Sequence, residues 1–507
     1  MSSWTRVTGH VLADPARDDP ASLLERARAG EVVVVVGPPD TGPWQQLTGV
    51  RPLEPADHAE VVIEPTDDPL ARNLPGEHVH RGGVAPVAPL DDTRSVLRTR
   101  LGYGEQSVAA VRTHGTGAVV TLGQVPDPDL QPDPDPLGTV LARVTRGVTP
   151  PTRELGVGIV GYGQHGGMGW LHATASEDTD GLRLAAVAET NPARLEDAGA
   201  RFPEAGLHTD ISGLLEDEAV DVVVIATPPS THHKLAKQAL QAGRHVVVEK
   251  PLCFTADEAD DLLATATDVD RLLTVHQNRR WDADYRAIRR LVAEGTLGEV
   301  FNIETFVGGF EHPCRLWHSE ISVSGGRLYD WGAHLIDQQL RLFDAQPVRV
   351  TSTGHDRVWN DVTNLDQVRV RLAFDDGREA EFLDSDVLAV RRPKYVVQGT
   401  SGTLVGHYAP VVEETVTPEH GHERTEHHHA EGPARLRLAL HQPGWGLHEV
   451  DVPVLPAVSH PFHRALADHL QLGDPVPVDA HEIRDLVAVL HAAHTSAHEG
   501  GSAVSPA

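Results

Sequence analysis

Between residues 154 and 275, short apolar runs alternate with amphipathic stretches. Leu155–Val160, Leu182–Ala188, Val220–Ala226, His245–Val248 and Leu272–Val275 are almost continuously apolar, as strands buried on both faces are. Trp170–Ser176, Pro192–Arg201, His232–Gln241 and Ala256–Ala266 lie between them and read as helices. This alternation predicts a parallel, doubly wound α/β sheet. After residue 298 the period drops to two. Val300–Phe306, Val348–Thr353, Gln367–Phe374, Glu379–Leu383 and Tyr395–Gly399 alternate apolar with polar positions, which predicts a mostly antiparallel sheet with one covered face. A helix is expected over Leu328–Phe343, and two more near 460–472 and 481–498.

Residues 1–150 form a separate block. A helix over Ala21–Ala29 ends at Gly30, and Val32–Val36 reads as a buried strand. Ser107–Arg112 and Ala118–Leu122 read as a hairpin turning at Gly115–Gly117, and Leu137–Val144 as a short helix. Pro126–Pro136 is an acidic, proline-rich spacer, and Thr149–Thr152 reads as a linker. Three domains are therefore expected: an accessory α/β block over 1–150, a nucleotide-binding sheet over 151–275, and a substrate-binding and oligomerisation α/β domain over 276–507.

Composition narrows the partners. Lys plus Arg is 43 against 73 Asp plus Glu, a formal charge of −30, which argues against nucleic acid or an anionic membrane. Cys253 and Cys314 are too few for a disulfide framework and point to a reducing cytoplasm. The N-terminus has no apolar core of signal-peptide length, and Val32–Val36 is too short to span a bilayer. The histidines at 420, 422 and 427–429 lie in the acidic stretch Pro418–Pro433, which reads as a solvated loop rather than a metal site.

Three motifs carry the chemistry. Gly161-Tyr162-Gly163-Gln164-His165-Gly166 follows a strand and opens a helix. Gly161 permits the tight turn, Gly163 lets the backbone approach a pyrophosphate, and the third glycine is Gly166 by spacing or Gly169 by closeness to the helix. Glu189, ending the second strand, is placed to accept from ribose hydroxyls and would repel a 2′-phosphate, favouring NAD over NADP. Thr227, Pro228 and His232 follow another strand and fall beside the cofactor.

The second motif, Glu249-Lys250-Pro251, reaches the same sheet edge and contains one of only four lysines in the chain. Lys250 there can hydrogen-bond a reacting hydroxyl. In the third, Asp330 and His334 stand four apart, on one face of the expected helix. A neutral His334 can take a hydroxyl proton while hydride leaves the adjacent carbon, with Asp330 orienting; the Lys250 and His334 roles are interchangeable at this level. Asn278, Arg279, Arg315, Trp317 and His318 are candidate substrate contacts, since aromatic and cationic groups suit a polyol.

Gly156–Gly163, Ala226–His232, Glu249–Pro251, Asn278–Asp282 and Gly325–Asp337 together resemble the Gfo/Idh/MocA oxidoreductases over about residues 153–500. The resemblance implies a Rossmann domain followed by an α/β domain whose large, mostly antiparallel open sheet often mediates homo-oligomerisation. It implies catalytic roles for Lys250, Asp330 and His334 and a small sugar-like substrate. One departure is visible: the family usually carries a histidine nine residues into the glycine motif, whereas His172 is twelfth. Residues 1–150 loosely resemble ThuA-like, glutamine amidotransferase-related domains through Val32–Pro38, Asp68–Pro75 and Val108–Leu122, but contain no cysteine to act as nucleophile. The expected activity is NAD-dependent oxidation of a sugar, cyclitol or derivative. Redox-neutral elimination or epimerisation on tightly held NAD, and a non-catalytic NAD sensor, are the alternatives.

Overall fold

The computed structural model describes residues 10–506, apart from 54–59, 75–77, 82–83, 91, 102–103, 124–135, 149–150, 164–167, 314–315, 418–420, 428–431 and 455–456. The spacer up to residue 135 therefore lies outside the described residues. The chain divides into two compact units. One comprises Met1–Glu154, Thr179–Gly181 and His463–Pro475; the other comprises Leu155–Asp178, Leu182–Phe462 and Val476–Ala507.

The first unit is built on a nine-stranded mixed sheet. His10–Ala13, Val32–Val36 and Gly117–Leu122 run parallel, and Gly117–Leu122 pairs antiparallel with Gly104–His114 in the expected hairpin. Val32 and Val34 enter one core cluster, Val33 and Val35 the other, so this strand is buried on both faces. The segment 463–475 is held by charge. Arg143, 1% exposed, donates to Asp474 at 2.7 Å and to Asp468 at 2.7 Å, and Arg72 pairs with Asp468 at 2.9 Å. Buried charges are tolerable only when matched in this way.

The second unit contains, among the described residues, two large sheets and one two-stranded sheet. The first is parallel and six-stranded, in the order Gly206–His208, Leu182–Ala188, Leu155–Val160, Val222–Ile225, His245–Glu249, Leu273–His276. Helices cross between the strands, as the alternating pattern predicts. The helix Ala256–Asp268 begins with a capping box between Thr255 and Glu258, which satisfies otherwise orphaned N–H groups. The first strand lies at the centre, where the order reverses, so the loop after it opens into the crevice where ligands bind in such sheets.

The second sheet has eight strands, antiparallel except for Val300–Gly308 against Glu379–Ser385. One face packs under helices, with Ile303, Phe382, Val397 and Leu404 buried. The opposite face carries Arg369 and Arg371 on Glu381, both at 3.0 Å. The loop expected over Pro418–Pro433 is corrected in part. Gly421–His427 is a strand paired with Val411–Thr417, whose valines and threonines are residues that favour strands. His422 and His427 fall in that strand, while His420, His428 and His429 lie outside the described residues.

The helix expected over Leu328–Phe343 is also corrected. It is two helices, Gly326–Asp330 and Gly332–Phe343, meeting at Trp331, and the poor helix propensity of Gly332 accounts for a break there.

Candidate active site

The glycine turn shapes the first part of the site. Gly161 has φ +90°, which a side chain would strain. A Cβ on Gly163 would meet nothing within 4 Å, leaving open space above the turn. A Cβ on Gly169 would fall 2.2 Å from the Gly161 carbonyl oxygen, so Gly169 is the glycine that lets helix and turn pack closely. Gln164 and Gly166 lie outside the described residues.

Glu189 is 7% exposed and accepts from the backbone N–H of Gly163 (3.1 Å) and of Asn191 (2.9 Å). It thereby holds the turn while lining a cleft of about 460 Å³ with Gly161, Gly163, Arg194, Thr227 and Pro228. Tyr162 is buried beneath the turn. His232 is placed differently from expectation. It is fully buried, with its ring nitrogens 2.8 Å from the Thr227 carbonyl and 2.7 Å from the Pro251 carbonyl, so it braces the two loops instead of facing the cleft.

Lys250, Asp330 and His334 line one cavity of about 290 Å³, together with Glu249, Asn278, Arg279, Trp317 and His318. Lys250 Nζ donates to the Asp330 carboxylate. Burial alone would raise the Asp330 carboxyl, but the Lys250 ammonium and the Arg327 guanidinium hold it below the usual range. His334 is 5% exposed, and burial together with the Lys250 and Arg279 charges keeps its imidazole well below its ordinary range. It is therefore neutral at pH 7, as a proton acceptor must be. Its Nδ1 has no hydrogen-bond partner among the described residues. Asp330 and His334 thus share the cavity although they stand on different helices.

Glu249 anchors Lys250 from below. It accepts from His276 Nδ1 (2.7 Å), His172 Nε2 (3.0 Å) and the Lys250 N–H (3.1 Å). Burial pushes its carboxyl up, but the two histidines outweigh this and hold it well below the carboxylate range. The three-residue offset of His172 therefore leaves its ring on Glu249. Arg279 lies 4.4 Å over the Trp331 ring and pairs with Asp282 at 3.3 Å. Trp317 lines both the cavity and the cleft and stacks on His318 with ring centroids 3.6 Å apart. Arg315 and Cys314 lie outside the described residues.

Four further residues were not legible as site residues. Arg327 pairs with Asp384 at 3.2 Å and with Asp386, and Asn364 joins the lining from a loop. Asp384 and Asp386 are two apart at a strand end, and that spacing was the available signal.

Residues 155–277 match the model of the oxidoreductase family with an NAD-binding Rossmann fold (GFO_IDH_MocA), and residues 285–405 match the GFO/IDH/MocA C-terminal domain. The chain is similar to scyllo-inositol 2-dehydrogenase (NADP(+)) IolW of Bacillus subtilis, 26% identical over 68% of this chain and 94% of that protein. It is 33% identical to the uncharacterized oxidoreductase YdgJ of Escherichia coli over 49% of this chain and 70% of that protein. The crystal structure of an NAD-binding protein from Listeria innocua superposes with a TM-score of 0.59 at 26% identity, covering 70% of this chain and 97% of that one.

Proposed function

The chain belongs to the GFO/IDH/MocA family of oxidoreductases, and from that premise we propose that it is an NAD-dependent dehydrogenase acting on a carbinol of a sugar, cyclitol or sugar derivative. The observation that carries this reading is the meeting of Lys250, Asp330 and a neutral His334 in one cavity. His334 accepts the hydroxyl proton, Lys250 polarises that hydroxyl, and Asp330 orients Lys250. Bound nicotinamide supplies the hydride acceptor. The open space above Gly163 and the carboxylate of Glu189 fit the pyrophosphate and ribose of such a cofactor. Glu189 also favours NAD, because a 2′-phosphate would meet a carboxylate already fixed by backbone donors. The scyllo-inositol specificity named for IolW supports a cyclitol or sugar as substrate.

We read residues 1–150 as a non-catalytic accessory domain and the eight-stranded sheet as a homo-oligomer interface in the cytoplasm. Among the described residues no helix is long and apolar enough to cross a membrane.

Absorbance at 340 nm with NAD, NADP and a panel of sugars and cyclitols tests the activity. Growth of NADH with polyhydroxylated substrates is expected. No growth by a protein that binds NAD would refute net oxidation.

A further inference from the structure

Among the described residues, each lysine or arginine lining the cavity is already matched by a carboxylate. Lys250 stands on Asp330, Arg279 on Asp282, and Arg327 on Asp386. Among those described residues, a carboxylate or phosphate on the ligand would find no unmatched cation, and would have to displace a paired carboxylate to gain one.

Asn364 supplies the complementary observation. It is 5% exposed and lines the cavity. Its Nδ2 donates to the His318 carbonyl at 2.7 Å, which fixes which end of the amide is the acceptor. Its Oδ1 is buried and has no partner among the described residues. Beside it the wall is cut back by Gly326, where a Cβ would lie 3.5 Å from Asn364 Oδ1. A buried acceptor left unmatched is costly, and it calls for a ligand that donates a hydrogen bond. A hydroxyl does so; an anionic oxygen does not.

We propose that the cavity selects an uncharged polyhydroxylated substrate over a sugar acid or sugar phosphate, and that Asn364 Oδ1 accepts from one hydroxyl remote from the reacting carbon. This rests on the dehydrogenase reading above, and makes Asn364 a specificity-determining residue.

The test compares kcat/KM for neutral sugars and cyclitols, their mono-deoxy analogues, and matching aldonates, uronates and phosphates, using wild type, Asn364→Ala and Asn364→Ser. Wild type is expected to favour neutral substrates over charged ones by roughly 100-fold or more, the scale set by unmatched buried groups. Loss of the acceptor is expected to raise KM by about 3- to 30-fold with little change in kcat. The penalty for deleting one particular hydroxyl should vanish in Asn364→Ala, which a merely structural role would not produce. Preference for an acid or phosphate, or an equal penalty for every deoxy analogue in the variant and wild type, overturns the proposal.

If no compound reduces the nicotinamide, the dehydrogenase reading fails and calorimetry on the NAD-loaded protein decides the pocket claim alone. Binding of neutral compounds that Asn364→Ala weakens supports it. Preferred binding of charged analogues, or binding indifferent to Asn364, overturns it.

Discussion

His276 faces Glu249 across neighbouring parallel strands, and its Nδ1 lies 2.7 Å from a carboxylate oxygen of Glu249. The same oxygen meets His172 Nε2 at 3.0 Å, and the other takes the Lys250 N–H. A buried carboxylate thus fixes the backbone that presents Lys250. Removing it takes a carboxylate hydrogen bond from each of two buried imidazoles. Glu249→Ala is expected to cost about 2–4 kcal/mol of stability, read as a lower urea midpoint at unchanged m-value. An unshifted midpoint would contradict the anchoring role.

Lys250→Ala and His334→Ala are each expected to lower kcat/KM by roughly 10²- to 10⁴-fold, the scale of a lost acid–base group. NADH affinity, measured by fluorescence titration, should be largely retained. Turnover surviving both substitutions would move the chemistry elsewhere.

Glu189→Gln removes the charge and keeps an acceptor for one of the Gly163 and Asn191 N–H groups, which bond to different carboxylate oxygens. The ratio of kcat/KM for NADP over NAD is expected to rise about tenfold or more, since like charges side by side cost several kcal/mol. A ratio unmoved by the substitution would show that Glu189 does not select the cofactor.

His172, His232 and His334 are all buried, and burial lowers the pKa of each. Their folded pKa values lie below the unfolded value of about 6.5, so below that pH the unfolded chain binds more protons. Stability from these groups is full above about pH 6.5 and falls as pH drops toward the folded values, by up to about 1.4 kcal/mol per pH unit for each histidine. Urea midpoints at about pH 7.5 and about pH 5.5 should therefore differ, with the lower pH less stable. The acid limb of kcat/KM should likewise lie below the ordinary histidine range, because His334 stays neutral there. Asp384, whose carboxyl burial pushes up to about 8, contributes with the opposite sign across this range, so equal midpoints would show that the three histidines do not dominate it.

The doubly wound sheet was legible because its strands are buried on both faces and leave unbroken apolar runs. The helices Pro192–Arg201 and His232–Gln241 have the same bounds in the structure as in the pattern. Other parts were hidden for physical reasons. Gly446–Val452 is an exposed strand, so no burial alternation marks it. Asp330 and His334 were legible as a pair, but the break at Trp331 between them was not. Asn364 reaches the cavity only through tertiary folding, 30 residues beyond His334, and no local period reports such a meeting.

The central claim is hydride transfer from a carbinol carbon to nicotinamide. Its most direct test is turnover of ring-deuterated scyllo-inositol and carbon-deuterated sugars with unlabelled NAD, followed by mass spectrometry of the recovered cofactor. Deuterium in the reduced nicotinamide, absent with His334→Ala, is the expected result. A product formed while the cofactor gains no deuterium, or deuterium returned to the sugar without net reduction of NAD, would contradict it.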